Sequence, residues 1–341
     1  MSWITETAAL YDEIKEKVND SDEWEPILPL YHSTSNAQIQ VTIFSDGTFS
    51  HAEVVDADDA KTIIPVTEDS GSRGNGILPN PLCDKLIYIA GDYSTYVAKA
   101  KSDADEYFVT YIKALKAWAE SEYSDICITA IYDYLSKRML INDLIGDGIL
   151  KLKGAVLDEE YKITKSAKQI DSFVRFVVND LDSGENIKVW KSKALFDKYI
   201  AYYEALGKER DCQLCYASGK IVPVTYKHMA RIRNGGDKAK LISSNDKSNF
   251  TYRGRFANRE EAFAVGEIVS QKAHLALKWL IKTGGISVGD EKYVAWESCL
   301  NEIPNVFGRI ALDASENSGS FAKDKDCLLY TSPSPRDRSV S

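Results

Sequence analysis

The order of strand-like and helix-like segments is the feature that most constrains the fold of this chain. Residues 38–44 and 48–55 alternate apolar and polar side chains around Ser45-Asp46-Gly47, which is typical of a β-hairpin. Helical periodicity occurs on both sides of this hairpin, at residues 3–18, 103–119, 124–144 and 191–206. Because strands and helices do not alternate regularly, the order favours an α+β fold over a doubly wound parallel sheet.

Shorter segments complete this prediction. Residues 85–90 and 173–178 are predicted strands, and Pro65 favours an edge strand at residues 63–66 because proline cannot donate to a ladder. One long helix is predicted over residues 259–283, closed by Gly284-Gly285. The expected architecture is an irregular α+β fold with an amino-terminal helix, β-hairpins or an antiparallel sheet, and long helices.

Composition limits the class of protein. The 341 residues are 44% apolar and 27% charged, as in globular proteins, and give room for two domains. No apolar run approaches the roughly 20 residues that span a bilayer. Residues 1–6 lack the basic segment followed by an apolar segment that is typical of a secretion signal. The six cysteines are scattered. These features predict a cytoplasmic protein with no membrane partner.

Charge is distributed unevenly along the chain. The net charge is −9, yet residues 208–282 hold fifteen Lys and Arg against seven Asp and Glu, a balance of +8 that leaves −17 on the remainder. Such asymmetry is typical of a protein with one region that faces a polyanion and an otherwise acidic body.

Three segments offer donors for nucleic acid. In residues 67–81, glycines accompany Arg73, Asn75 and Asn80, which suit base edges or phosphates; the alternative is a plain surface loop between strands. Arg231 and Arg233 precede Gly235-Gly236, and Lys238 and Lys240 follow them, in a loop suited to phosphates. Should residues 252–256 form a strand, Arg253 and Arg255 share the face opposite Tyr252 and Phe256; the alternative is an edge strand with solvated arginines.

The predicted helix at residues 259–283 has a polar stripe. The stripe comprises Gln271, His274, Lys278 and Lys282, while Val265, Ile268, Val269, Ala273 and Trp279 are expected to face the core. The stripe suits a displaced DNA strand, or it is simply the solvated side of a packed helix.

No motif indicates catalysis or a cofactor. Residues 71–76 lack the Gly-Lys-Ser/Thr ending of a phosphate-binding loop, and residues 56–59 read as a solvated acidic turn rather than a calcium loop. Cys212 and Cys215 have zinc-ligand spacing without a second pair, so zinc and a turn with buried thiols both stay open. A binding protein is expected; the alternatives are a metal-dependent nuclease or a purely structural scaffold.

Three blocks of sequence carry a family resemblance. They are residues 73–88, residues 212–220, and residues 242–256 with their continuation at 271–281. In this order they resemble the Csd-family large subunit of the type I-C CRISPR surveillance complex, Cascade. The resemblance implies a non-catalytic subunit that recognises the protospacer-adjacent motif beside a target and supports R-loop formation. The candidate DNA-binding residues are Arg73, Asn75, Asn80, Arg231, Arg233, Lys238, Lys240, Asn249, Arg253, Arg255, Lys278 and Lys282.

The resemblance also implies partners and a division of the chain. The partners are target double-stranded DNA and its displaced strand, the guide RNA complex, the Cascade backbone subunits and a helicase-nuclease recruited after R-loop formation. The expected domains are residues 1–207 and the basic region at residues 208–325. Residues 326–341 resemble a translated sequencing adapter, with a Pro/Ser-rich disordered tail as the alternative, and the family's carboxy-terminal helical bundle is expected to be missing.

Overall fold

The chain forms two compact units. The computed structural model describes residues 2–18, 26–71, 76–98, 103–165, 167–207, 212–234, 237, 239–242, 255–257, 259–288 and 291–297. One unit combines Met1–Leu28 with Arg210–Ser341, and the other is Pro29–Glu209. The described parts contain helices and several small sheets, which confirms the predicted α+β class.

The regular elements are numbered in chain order. The helices are α1 (Trp3–Val18), α2 (Glu68–Gly71), α3 (Leu86–Ile89), α4 (Tyr93–Tyr96), α5 (Ala104–Ala119), α6 (Ile126–Ser136), α7 (Leu140–Gly146), α8 (Lys193–Gly207), α9 (Arg259–Ala262) and α10 (Glu267–Gly284). The strands are β1 (His32–Asn36), β2 (Ile39–Phe44), β3 (Phe49–Val54), β4 (Lys61–Pro65), β5 (Leu152–Lys153), β6 (Val156–Leu157), β7 (Val174–Asn179), β8 (Asn186–Lys188), β9 (Cys212–Leu214), β10 (Ile221–Thr225), β11 (Val265–Gly266), β12 (Ile286–Val288) and β13 (Glu291–Tyr293).

The unit Pro29–Glu209 is organised around a four-stranded sheet in the order β3-β2-β7-β8. The predicted hairpin is confirmed: β2 and β3 pair antiparallel around Gly47, whose φ of +75° explains why glycine is needed there. The central strands β2 and β7 pair in parallel, with Ile39 opposite Val174. Ile39, Val41 and Ile43 are fully buried, since both faces of β2 are covered.

The other unit is built on a helix pair. Helix α1 packs along α10, and Lys272 Nζ lies 2.7 Å from Asp12 Oδ2 between them. The sheet β11-β10-β9 covers this pair. Ile4, Cys215, Val265 and Ala273 form the buried core, so the amino-terminal helix packs within the basic half of the chain. The domains expected from the sequence, residues 1–207 and 208–325, place α1 in the first domain. That division stays a prediction.

Two predicted elements of the unit Pro29–Glu209 are wrong in type or extent. Residues 85–90 form the helical turn α3 rather than a strand, and only Lys85 makes a bridge, to Phe173. The predicted helix 124–144 is divided into α6 and α7 at Arg138, which has a φ of +56°. The Asp92 carboxylate accepts hydrogen bonds from the first N–H groups of α7, which begins a new helix there.

The long helix predicted at residues 259–283 is also interrupted. Helix α9 ends at Ala262, residues 265–266 pair with β10, and α10 begins at Glu267. Gly266 explains the break, because its N–H donates to Cys215 Sγ at 3.1 Å and a Cβ there would lie 2.8 Å from Val222 Cγ2. The helix is therefore interrupted where residues 265–266 pair with β10 in the sheet β11-β10-β9.

Candidate nucleic-acid interface

The basic loop at residues 231–240 is closed at its base. An antiparallel bridge joins Ala230 and Lys240, so the loop leaves and re-enters the unit at one place. Ile232 is 5% exposed and points inward, while its neighbours Arg231 and Arg233 are exposed. Gly235, Gly236 and Lys238 lie outside the described residues. The closed base and the buried isoleucine therefore present two arginines at the surface.

An internal carboxylate reduces the charge that this loop offers. Arg233 Nε donates to Asp237 Oδ2 at 2.6 Å, and the Ala239 N–H donates to Asp237 Oδ1 at 2.9 Å. These two hydrogen bonds hold the pKa of the Asp237 carboxyl below its ordinary value. Arg233 was predicted as a phosphate ligand, but the Asp237 carboxylate offsets its charge in this conformation. Arg231 forms no ion pair among the described residues and is the stronger candidate.

A buried polar cluster lies directly before the loop. His228 is 1% exposed, and its Nδ1 lies 2.8 Å from Ser270 Oγ on α10. Ser270 in turn contacts His274, which is fully buried one turn further along the helix. Burial lowers the pKa of His228 to about 3, and repulsion from Lys240 and from the protonated form of His274 adds to the effect. Burial also lowers the pKa of His274. Both imidazoles are therefore neutral at pH 7.

The polar stripe predicted on the last long helix is only partly at the surface. Lys282 is exposed, Gln271 and Lys278 are half-buried, and His274 is 0% exposed, so His274 does not belong to a solvated stripe. Ile268, expected in the core, is 41% exposed. The prediction for Ile268 is wrong because α10 begins only at Glu267. The first turn of α10 is not continuous with the residues before it, so the helical periodicity of those residues does not carry over to Ile268.

The alternating segment at residues 252–256 is described only at its end. Asn249 and Arg253 lie outside the described residues. Arg255 is exposed in a turn, and its guanidinium carbon lies 5.1 Å from the centroid of the Phe256 ring. The prediction placed Arg255 and Phe256 on opposite faces of a strand; instead they contact each other.

In the unit Pro29–Glu209, the ends of the candidate motif-reading loop are anchored. Arg73 and Asn75 lie outside the described residues. Asn80 is 5% exposed; its N–H donates to Asp84 Oδ2 at 2.7 Å and its side-chain amide donates to the Cys83 carbonyl at 3.4 Å. Asn80 was predicted to contact DNA, but a buried amide with internal partners stabilises the loop end and is not available to a base edge.

The preceding end of the same loop is held by a capping pair and a tyrosine. The Thr67 N–H donates to Ser70 Oγ at 2.9 Å, and the Ser70 N–H donates to Thr67 Oγ1 at 3.1 Å. The Glu68 N–H donates to the Tyr203 hydroxyl of α8 at 3.1 Å. Internal hydrogen bonds therefore hold the described residues on both flanks of this loop.

Cys212 is the first residue of β9, and Cys215 directly follows that strand. Cys212 is exposed, whereas Cys215 is fully buried and its Sγ accepts the N–H groups of Gly266 and Ser218 at 3.1 and 3.4 Å. Burial raises the pKa of the Cys215 thiol, but these hydrogen bonds outweigh burial and leave the pKa below its ordinary value. Within the described ranges, no three His, Cys, Asp or Glu side chains come together as metal ligands do.

Sequence reasoning missed three residues that shape the candidate interface, namely Asp237, His228 and Ser270. Arg233 and Asp237 are four positions apart, a spacing that can indicate an ion pair. The charge balance of residues 208–282 did not use this spacing, because it counted each charged residue separately. His228 lies in no catalytic or metal-binding motif of the sequence. Its bond to Ser270 joins residues 42 positions apart, and no local pattern in the sequence indicates such a pairing.

Comparisons with known proteins assign the class and then the family. A sequence-family model of CRISPR-associated proteins matches residues 9–331 of this chain. The family is Cas_Csd1, the family of the type I-C large subunit, and the chain belongs to it. The chain is thus a CRISPR-associated subunit of Cascade, a complex that contains other Cas subunits and guide RNA. A search of the curated proteins found no match. In the part of the chain that is described, no helix combines the length and apolar character needed to cross a bilayer.

Proposed function

We propose that this Cascade subunit binds DNA without a catalytic step of its own and supports R-loop formation in antiviral defence. Residues 231–240 contact backbone phosphates of the target duplex, and the exposed end of α10 follows the displaced strand. Residues 67–81 read the protospacer-adjacent motif, while guide RNA pairing reads the remaining sequence. The helicase-nuclease joins after the R-loop has formed.

The observation that supports the proposal most is the placement of Arg231. It is exposed on a loop with a closed base, and it forms no ion pair among the described residues. An exposed guanidinium of this kind suits a phosphate, because its donors match the phosphate oxygens. The hydrogen bonds that hold Glu68 and Asn80 support the second part, since a loop with firmly held flanks suits insertion into a groove.

The proposal is tested with the assembled complex on targets that differ only in their flanking motif. Arg73→Ala is expected to change the ranking of flanking sequences, with a difference of about 1–3 kcal/mol between the preferred and other motifs. Arg255→Ala is expected to weaken binding to all targets alike and to reduce its salt dependence. Affinities are measured by titration of labelled duplex.

Each part has an outcome that contradicts it. An equal loss on every flanking sequence for Arg73→Ala removes the motif-reading role from residues 67–81. Cleavage of DNA or RNA by the purified chain after addition of Mg²⁺ or Mn²⁺ favours the nuclease alternative. Affinity for DNA that is indifferent to Arg73→Ala, Arg231→Ala and Arg255→Ala favours a structural scaffold.

A further inference from the structure

The base of the basic loop is attached to α10 through one buried histidine. His228 lies two residues before Ala230, which closes the loop by its bridge to Lys240. Its Nδ1 lies 2.8 Å from Ser270 Oγ, and both residues are at most 3% exposed. The edge of Phe263 faces the ring at 6.2 Å between centroids. The imidazole is therefore fixed on one side by a hydrogen bond and on another by an aromatic contact.

Ser270 is itself oriented by a second histidine. His274 Nδ1 lies 2.6 Å from the Ser270 carbonyl oxygen, which only accepts, so this nitrogen carries the proton. The same Nδ1 lies 3.3 Å from Ser270 Oγ, and the two imidazole rings stack with centroids 5.9 Å apart. Ser270 Oγ forms its other hydrogen bond with His228 Nδ1, and the tautomer of His228 decides which of the two atoms donates. The Ser270 hydroxyl therefore joins α10 to the segment that leads into the loop.

The Nε2 atoms of both histidines are buried without a hydrogen-bond partner among the described residues. A buried polar atom without a partner costs about 1–3 kcal/mol, so an apolar side chain at either position avoids a cost that histidine carries. The feature that only a polar ring offers here is the bond to Ser270. Arg231 and Arg233 follow His228 within five residues.

We infer that His228 is a positioning residue, which holds the base of the loop, at the bridge between Ala230 and Lys240, against α10 so that Arg231 meets a phosphodiester backbone. The inference rests on the proposed function, because it requires that Arg231 contacts DNA. Ser270 is the partner through which α10 sets the loop position. His228 itself touches no ligand.

Salt dependence separates positioning from a general loss of stability. The logarithm of DNA affinity falls with the logarithm of salt concentration by about 0.9 for each phosphate neutralised. A destabilised protein has a smaller active fraction but keeps that slope, whereas a displaced loop loses phosphate contacts and lowers it. The slope is measured for the full chain by fluorescence anisotropy with a short labelled DNA duplex.

Five variants test the inference. His228→Ala and Ser270→Ala are expected to lower the slope by about 0.9 or more, as Arg231→Ala does directly. His228→Asn is expected to restore it, since the asparagine amide reaches the position of Nδ1. The matched control is His32→Ala, which removes an equally buried histidine from the unit Pro29–Glu209 and is expected to lower stability without changing the slope.

The outcomes distinguish this inference from the proposed function. Should Arg231→Ala lower the slope while Ser270→Ala and His228→Ala keep the wild-type slope, the positioning role is wrong and the loop contact stands. Should Arg231→Ala itself leave the slope unchanged, the loop contact in the proposed function is wrong. Ser270→Ala removes only a hydroxyl, so it decides the question even where His228→Ala does not fold.

Discussion

His32 illustrates at the scale of one residue how burial fixes a protonation state. It is 2% exposed, and its ring packs edge-on against Phe196 and Tyr199 with centroids 4.8 and 5.5 Å away. Its Nδ1 donates to the Leu30 carbonyl at 2.7 Å. Burial lowers the pKa of His32 to about 4, although the bond to Leu30 opposes that shift.

This depressed pKa predicts a loss of stability in mild acid. The folded pKa lies below the unfolded value of 6.5, so the stabilisation is present above about pH 6.5 and is lost as pH falls toward 4. Between pH 7 and pH 5 the free energy of unfolding is expected to fall by about 2 kcal/mol through His32 alone. Denaturant unfolding of the wild type and of His32→Asn at both pH values measures this difference. Equal pH dependence in the two proteins contradicts the prediction.

The environment of a single residue was predictable from sequence where its side chain is in solvent. It was much less predictable where the side chain contacts residues that are distant in sequence. The exposure of Arg231 followed from its charge and its neighbouring glycines. The acidic turn at residues 56–59 is exposed, as predicted, but Asp59 also accepts a hydrogen bond from Arg175, which is 2% exposed. The guanidinium of Arg175 also lies 3.8 Å from the Trp190 ring centroid. An arginine within an apolar strand gives no sign of these partners, since both come from other segments.

At the scale of elements, the hairpin of β2 and β3 depends on a turn that is packed as well as bent. Gly47 is buried, and a Cβ there would lie 2.9 Å from Asp133 Cβ and 3.2 Å from the Tyr134 nitrogen on α6. Its carbonyl accepts a hydrogen bond from Lys137 Nζ at 2.7 Å. The position therefore excludes a side chain for two separate reasons, a positive φ and a close approach.

Gly148 allows these two reasons to be separated. It has a φ of +74°, as Gly47 has +75°, but no atom lies within 4 Å of its hypothetical Cβ. Gly148→Ala is expected to cost about 1–2 kcal/mol from backbone strain alone. Gly47→Ala is expected to cost about 1–3 kcal/mol more, from overpacking against α6. Urea unfolding of both variants tests the difference, and equal costs contradict the role of close packing.

Elements were predictable where local pattern and packing agree. The hairpin and the helices α1, α5 and α8 follow their periodicity closely, because one face of each is buried. The prediction is wrong at residues 85–90, since a short apolar run fits a buried helical turn as well as a strand. The breaks at Arg138 and Gly266 depend on Asp92 and β10, which are remote in sequence.

At the scale of the whole molecule, charge separates along the chain. The positive excess of residues 208–282 belongs to the same unit as α1, and the unit Pro29–Glu209 carries much of the negative charge. Ion pairs reduce the excess: Asp237 engages Arg233, and Asp12 engages Lys272. DNA affinity should therefore follow the position of individual cations and not the net charge of −9.

Two charge reversals with the same effect on net charge test this expectation. Arg231→Glu and Lys153→Glu each make the net charge more negative by two, and both replaced side chains are exposed without an ion pair among the described residues. Arg231→Glu is expected to lower DNA affinity on the order of tenfold at 0.1 M salt, because at least one phosphate contact is lost. Lys153→Glu lies on β5 of the acidic unit and is expected to leave affinity within twofold (about 0.4 kcal/mol). Equal losses in the two variants show that overall repulsion governs binding and contradict a localised interface, whereas a loss confined to Arg231→Glu assigns the interaction to the loop.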